Sequence, residues 1–259
     1  MARFVRFMRD GTPGWGEVTG TQILGLRQAP YLGLERDGSA CDYGSAHLLA
    51  PAEPSKIVCV GKNYLDHAEE MGEGVPAEPV LFIKPNTCVN DPGAVVVRPR
   101  NCFRLDYEGE IAFVVGRMAK RVPASQADDY IFGYTILNDV TARDIQKADG
   151  QWTRGKGMDG FAPMGPDLVT GIDTADLALT TRLNGVVKQA TRTSLMMWKI
   201  PALLEFITET MTLLPGDVVA TGTPAGIGEM ADGDTVEVEI EGLGTLTNHI
   251  AWEISAQSA

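Results

Sequence analysis

Short apolar or alternating segments, each closed by Gly, Pro or Asn-Gly, recur along the whole chain, and only one stretch sustains a helical period. Phe4–Met8, Glu17–Val18, Gln22–Leu26 and Tyr31–Leu34 read as strands broken by turns. Lys56–Val60, Val80–Ile83, Val95–Val97, Asp106–Val115, Tyr130–Leu137, Val218–Ala220, Thr235–Ile240 and Leu246–Trp252 follow the same rule. Leu177–Leu183 and Val186–Thr191 flank Asn184-Gly185, where both residues tolerate positive φ, so a tight hairpin is predicted. Pro201–Met211 is the best amphipathic helix, with Pro201 near its first turn. Asn63–Met71 and Thr141–Lys147 read as shorter helices capped by Asn63 and Thr141. No regular βαβ alternation is present, so a mostly-β, α+β core with flanking short helices is expected rather than a doubly wound or barrel α/β fold. Ala50-Pro51-Ala52-Glu53-Pro54 breaks the pattern and reads as a linker.

Charge narrows the partners. The 259 residues carry 22 basic and 34 acidic side chains, a net −12, with no Lys/Arg run. Nucleic acid and anionic membrane surfaces are poor partners for such a chain, and no segment has the apolar length of a bilayer span. The N-terminus alternates charged and apolar residues and lacks a continuous signal-peptide core. Four cysteines without CxxC spacing suit a reduced, cytoplasmic protein. The histidines, His47, His67 and His249, are not clustered, which argues against a zinc site. A metal here is expected to be held by carboxylates, as Mg²⁺ or Mn²⁺.

Five stretches carry chemistry. On a strand Asp106, Glu108 and Glu110 share one face, and Tyr107, Ile111 and Phe113 take the other. Carboxylates so placed repel one another unless a cation lies between them; a solvated strand face has the same alternation. Asp139 ends an apolar strand where a helix begins, and Arg143 and Gln146 share a helical face able to grip a carboxylate. Helix capping and a surface ion pair are the plainer alternatives. His67 and Glu70, three apart, suit a carboxylate orienting an imidazole base, or an ordinary surface pair. Gly72, Gly74 and Pro76 follow, a loop suited to ordering over a ligand. Gly155, Gly157 and Gly160 around Lys156 suggest backbone closely approaching an anionic ligand, or simply an irregular loop. Thr221–Gly228 echoes a dinucleotide fingerprint, but strand rather than helix follows it and no P-loop Lys is present, which rejects a nucleotide site.

Together, GKNYLDHAEE, PVLFIKP, DYEGEIAFVVG, YTILNDVTARDIQ, KGMDGFAPMGP and PGDVVATGTPAGIG resemble the fumarylacetoacetate hydrolase family, in its acylpyruvate-hydrolase-like branch. The motifs keep the family's order and cover about residues 56–230. The resemblance implies a mixed β-sandwich or β-roll, usually homodimeric. It further implies a small N-terminal β-domain over residues 1–52 and a catalytic domain over 53–259. By the same resemblance Glu108, Glu110 and Asp139 would ligate Mg²⁺ or Mn²⁺, and His67 and Glu70 would activate water from a lid helix. Lys156 would be catalytic, and Lys62, Tyr64, Arg143, Gln146 and Thr223 would contact substrate. Lys62 departs from the Arg common in the family's hydrolases and lacks that side chain's planar bidentate grip.

The implied reaction is cleavage of a C–C bond in an acylpyruvate-type 1,3-diketo acid, fumarylacetoacetate- or fumarylpyruvate-like, of the kind met in aromatic catabolism. A metal-stabilised enolate of a 2-oxo acid would be the leaving group, with Lys156 offsetting negative charge. Oxaloacetate-type decarboxylation or 2-oxo acid tautomerisation uses the same metal site without attack by water. A non-catalytic acidic β-protein binding a cation would keep the acidic strand but have no need of His67 or Lys156 near it.

Overall fold

The computed structural model describes residues 1–72 and 74–253; Glu73, in the loop expected to order over a ligand, lies outside the described residues. The long mixed sheet runs Arg36–Asp42, Gln22–Leu26, Thr12–Thr19, Ala2–Arg9, Ala162–Thr170, Ile131–Asn138, Gly109–Val115, Val218–Ala220, Lys56–Gly61, Val80–Pro85. A second sheet of five strands runs Val186–Arg192, Ala178–Leu183, Thr235–Ile240, Gly244–Trp252, Val95–Arg98. A small third sheet sets Leu105–Tyr107 between Thr141–Ala142 and Gly228–Glu229. The helices are short: α1 (Leu65–Glu70), α2 (Arg143–Asp149), α3 (Thr153–Lys156) and α4 (Ile200–Thr210). The mostly-β, α+β architecture expected from the pattern is the one found.

Gly109–Val115 is the keystone, buried at every residue. Ile111 and Phe113 face a core shared with Val238, Ile240 and Leu246 of the second sheet and Leu203, Leu204 and Ile207 of α4. Ala112 and Val114 face the opposite core, with Ala162, Met164, Val96 and Val236. Each large side chain so buried contributes roughly 1.5–3 kcal/mol. The strand is therefore covered on both faces, which explains its near-continuous apolar run after Glu110. In α4, Ile200, Leu203, Leu204, Ile207 and Thr208 form the buried stripe expected of an amphipathic helix. Asn184 and Gly185 turn their hairpin at φ 51° and 76°, as that dipeptide requires.

Several local expectations fail, each for a physical reason. Tyr31–Leu34 is a turn; Arg36–Asp42 supplies the strand instead, pairing with Gln22–Leu26. Asp106–Val115 is not one strand but two, interrupted at Glu108. Asn63 is no helix cap: its amide is buried, donating to the Trp198 and Thr221 carbonyls and accepting from the Trp198 N–H. Thr141 does not cap α2, which begins at Arg143 without a side-chain cap; Thr141 pairs in the small sheet opposite Asp106. Both residues are held by tertiary bonds that a reading of local spacing cannot see.

Candidate active site

Strand register assembles the acidic cluster. Gly109 pairs with Asn138 and Glu110 with Leu137, so the next step of the ladder sets Asp139 against Glu108. The bonds there confirm it: the Asp139 N–H donates to the Glu108 carbonyl at 2.8 Å, and the Glu108 N–H to Asn138 Oδ1 at 2.9 Å. Glu110 projects beside them because one residue of pleat separates it from Glu108 on the same face. One oxygen each from Glu108, Glu110 and Asp139 lies within 4.8 Å of the others, and all three residues are buried.

Buried cations surround this cluster unevenly. Lys156 Nζ donates to Glu108 Oε2 at 2.8 Å, Asp139 Oδ2 at 2.6 Å and Thr141 Oγ1 at 2.8 Å. Lys84, fully buried, donates to Asp139 Oδ1 and to the Phe161 carbonyl at 2.6 Å. Arg143 donates through Nε to Asp106 Oδ2 at 2.9 Å, through Nη1 to Gln146 Oε1 at 2.7 Å, and through Nη2 to Glu108 Oε1. Among the described residues Glu110 receives only the Gly222 N–H, at 2.7 Å.

The electrostatics follow. Burial alone would raise the Glu108 carboxyl, but Lys156 and Arg143 outweigh it and hold it below the usual range. Burial lifts Glu110 well above that range, and the Asp139 and Glu108 charges lift it further, with Lys156 opposing only weakly. Burial disfavours the Lys156 ammonium, yet Asp139 and Glu108 push it up to about 12. Among the described residues Glu110 is thus a buried acid with no cation bonded to it, beside two acids that are already paired. An all-oxygen site with that deficit fits a hard divalent cation, and the three acids are the residues able to hold one.

Helix α1 brings His67 and Glu70 together. His67 is buried, and its Nδ1 lies 3.1 Å from Glu70 Oε2. A carboxylate there only accepts, so Nδ1 carries the proton and Nε2 is left as the basic nitrogen. Glu70 Oε1 in turn accepts the Gly226 N–H at 3.0 Å, and Tyr107 Oη donates to the Gly226 carbonyl at 2.9 Å. This chain ties the lid to the loop Thr221–Gly228 and to the acidic strand's opposite face.

One pocket brings together Lys62, His67, Glu108, Glu110, Asp139, Arg143, Gln146, Lys156 and Thr223. Glu70 stands behind His67 rather than in the wall. Tyr64 is also absent from the wall: it is buried in the apolar cluster with Phe113 and Met196, and its hydroxyl has no hydrogen-bond partner among the described residues. Arg143 and Gln146 do share a helical face, but the guanidinium is turned inward onto Asp106 and Glu108. Thr223 Oγ1 donates to the Gly109 carbonyl at 3.0 Å and accepts from Gln189 at 2.8 Å, fixing the loop over Glu110. Lys62 sits at φ 57°, its ammonium 5.9 Å from the centre of the Trp152 ring. Gly61 beside it is obligatory, since an added Cβ would lie 2.5 Å from that ring.

Sequence reasoning missed Lys84, Thr141, Trp152 and Phe82. Lys84 had a legible signal: a lysine inside the apolar run PVLFIKP must find a carboxylate if the strand is buried. The other three had none.

Known proteins resemble this chain over most of its length. Residues 56–251 match the family model described as fumarylacetoacetate (FAA) hydrolase C-terminal, and residues 2–51 match one described as Rv2993c-like, N-terminal. Protein Rv2993c of Mycobacterium tuberculosis is 55% identical over 216 residues, covering 82% of each chain. Oxaloacetate tautomerase YisK of Bacillus subtilis is 41% identical, covering 79% of this chain and 72% of its own. The crystal structure of 2-hydroxyhepta-2,4-diene-1,7-dioate isomerase from Mycobacterium marinum superposes with a TM-score of 0.91 at 45% identity, over 98% of this chain and 99% of that one. Motifs, site and matched length together make the chain a member of the fumarylacetoacetate hydrolase family of enzymes.

Proposed function

We propose that this enzyme acts on a 2-oxo or 2,4-dioxo acid with Mg²⁺ or Mn²⁺ held by Glu108, Glu110 and Asp139. The observation that carries the reading is Glu110, a buried acid that among the described residues has no cation, beside two that have one. A bound divalent cation supplies electrophilic stabilisation of negative charge on the substrate's carboxylate and keto oxygens. His67 Nε2, oriented through Nδ1 by Glu70, removes a proton and later returns it. In C–C hydrolysis of an acylpyruvate, that proton comes from the water attacking the distal carbonyl and goes to the carbon left by the cleaved bond. Lys156 keeps a positive charge at the cavity wall, where Gln146 and Thr223 contact the substrate.

A second reading is keto–enol tautomerisation of a 2-oxo acid, in which the same nitrogen moves a proton between carbon and oxygen. The activity in the name of the Bacillus subtilis relative favours it. Acetylpyruvate and oxaloacetate, each assayed with Mg²⁺ and with Mn²⁺, separate the two. Cleavage of acetylpyruvate supports hydrolysis; acceleration of oxaloacetate enol–keto exchange alone supports tautomerisation; no metal-dependent effect on either overturns the proposal.

We further propose division into an N-terminal β unit over 1–52 and a catalytic unit over 53–259, and a homodimer. A monomer mass by light scattering at micromolar concentration would overturn the dimer.

A further inference from the structure

The strand Val186–Arg192 is built inside out. Val186 and Val187 are 58% and 53% exposed, and Gln189 is its one buried residue. Burial favours the opposite choice, and departures of that kind gather where a residue does more than pack. Gln189 reaches from the second sheet to the acidic strand. Its Oε1 accepts the Gly109 N–H at 3.1 Å, and its Nε2 donates to Thr223 Oγ1 at 2.8 Å and to the Pro224 carbonyl at 2.9 Å.

These bonds stand in for a strand. Val218–Ala220 pairs with the acidic strand over Ala112, Phe113 and Val114. Before that point side chains meet the backbone instead. The Thr221 hydroxyl donates to the Ile111 carbonyl at 2.8 Å, and the Thr223 hydroxyl to the Gly109 carbonyl at 3.0 Å. The direction of each proton follows from the backbone. The Gly109 N–H only donates and the Pro224 carbonyl only accepts, so the Gln189 oxygen faces the first and its nitrogen the second. The same nitrogen donates to Thr223, whose own proton therefore goes to Gly109. Among the described residues Thr223 Oγ1 keeps one lone pair without a donor. Thr223 lines the pocket of Glu108, Glu110 and Asp139, with Gln189 behind it.

We infer that Gln189 is a positioning residue that acts through Thr223. It fixes that hydroxyl as a hydrogen-bond acceptor toward the pocket, so the ligand oxygen placed against it carries a proton. The inference rests on the reading that this pocket takes a metal-chelating 2-oxo acid.

Calorimetry on the Mn²⁺-loaded protein with lactate and pyruvate tests it, because the two differ in whether the C2 oxygen carries a proton. Thr223→Val should weaken lactate roughly two- to tenfold, the effect of one neutral hydrogen bond, and leave the pyruvate Kd nearly unchanged. Gln189→Met should show part of the same selective loss. Gln189→Met/Thr223→Val should bind lactate no more weakly than Thr223→Val alone, since both changes cut one link. The Mn²⁺ Kd should not change. If Gln189→Met does not fold, Gln189→Asn, shorter by one methylene but still an amide, takes its place with the same expectation. A merely structural amide would lower Tm and leave the lactate-to-pyruvate ratio as in wild type, which overturns the inference. Equal losses for both acids, or losses that multiply in the double variant, overturn it as well. If wild type binds neither acid, the 2-oxo acid reading itself fails and the inference falls with it.

Discussion

The floor and the lid of this cavity are built on opposite principles. The floor is two long strands with their acids placed by ladder register, and Glu108, Asp139, Arg143 and Lys156 hold one another there through several buried bonds. The lid is α1, six residues long, without a side-chain cap at its N-terminus, docked through Glu70 on Gly226. A helix of that length has little stability of its own and takes its order from such contacts. On the function proposed above, the metal-holding part would sit on the well-braced strands and the proton-handling part on the short helix. An acid–base group that must admit substrate and then exclude water belongs on the weaker element.

Substitutions should separate the two. Glu110→Ala is expected to have the largest effect: metal-dependent activity lost, and Mn²⁺ affinity down at least about a hundredfold by titration. The fold should survive, because the residue removed is a buried acid without a bonded cation. Retained Mn²⁺ affinity would remove Glu110 from the ligand set. His67→Ala should lower acylpyruvate cleavage by about 10²–10⁴-fold, with Mn²⁺ affinity unchanged, and any oxaloacetate decarboxylation should fall less. Normal cleavage by that variant would sink the hydrolytic mechanism. If Mn²⁺ affinity fell as well, floor and lid would not be separable.

The floor was the more legible half. Alternation alone put Glu108 and Glu110 on one face, and an acid at a strand–helix junction singled out Asp139. What alternation cannot supply is register: nothing local says that Gly109 meets Asn138, and only that pairing brings Asp139 to Glu108. Arg143 shows the same limit. Its spacing to Gln146 was read as a grip for substrate, whereas two carboxylates some forty residues upstream claim the guanidinium. Buried charge is settled by tertiary partners, and those are long-range. For the lid, the i,i+3 spacing of His67 and Glu70 was legible, but its tether to Gly226 was not.

That tether gives the smallest effect and the finest test. Tyr107 stands between Glu108 and Asp106 in sequence but faces away from the acids, and its hydroxyl holds the Gly226 carbonyl from below. Gly226 cannot shift toward the second sheet, since even an added Cβ would lie 2.1 Å from the Lys188 carbonyl oxygen. Its N–H then meets Glu70, and Glu70 meets His67. Tyr107→Phe deletes one hydrogen bond and keeps the ring in its packing, a loss of about 0.5–1.5 kcal/mol. If that bond positions the base, kcat should fall roughly two- to tenfold and amide exchange over α1 should quicken, with Mn²⁺ affinity unchanged. A merely structural hydroxyl would instead lower Tm and leave kcat and α1 exchange alone. The comparison then sharpens, because one short segment, Tyr107–Glu110, would serve both halves: its carboxylates would hold the cation, and its tyrosine would set how firmly α1 docks.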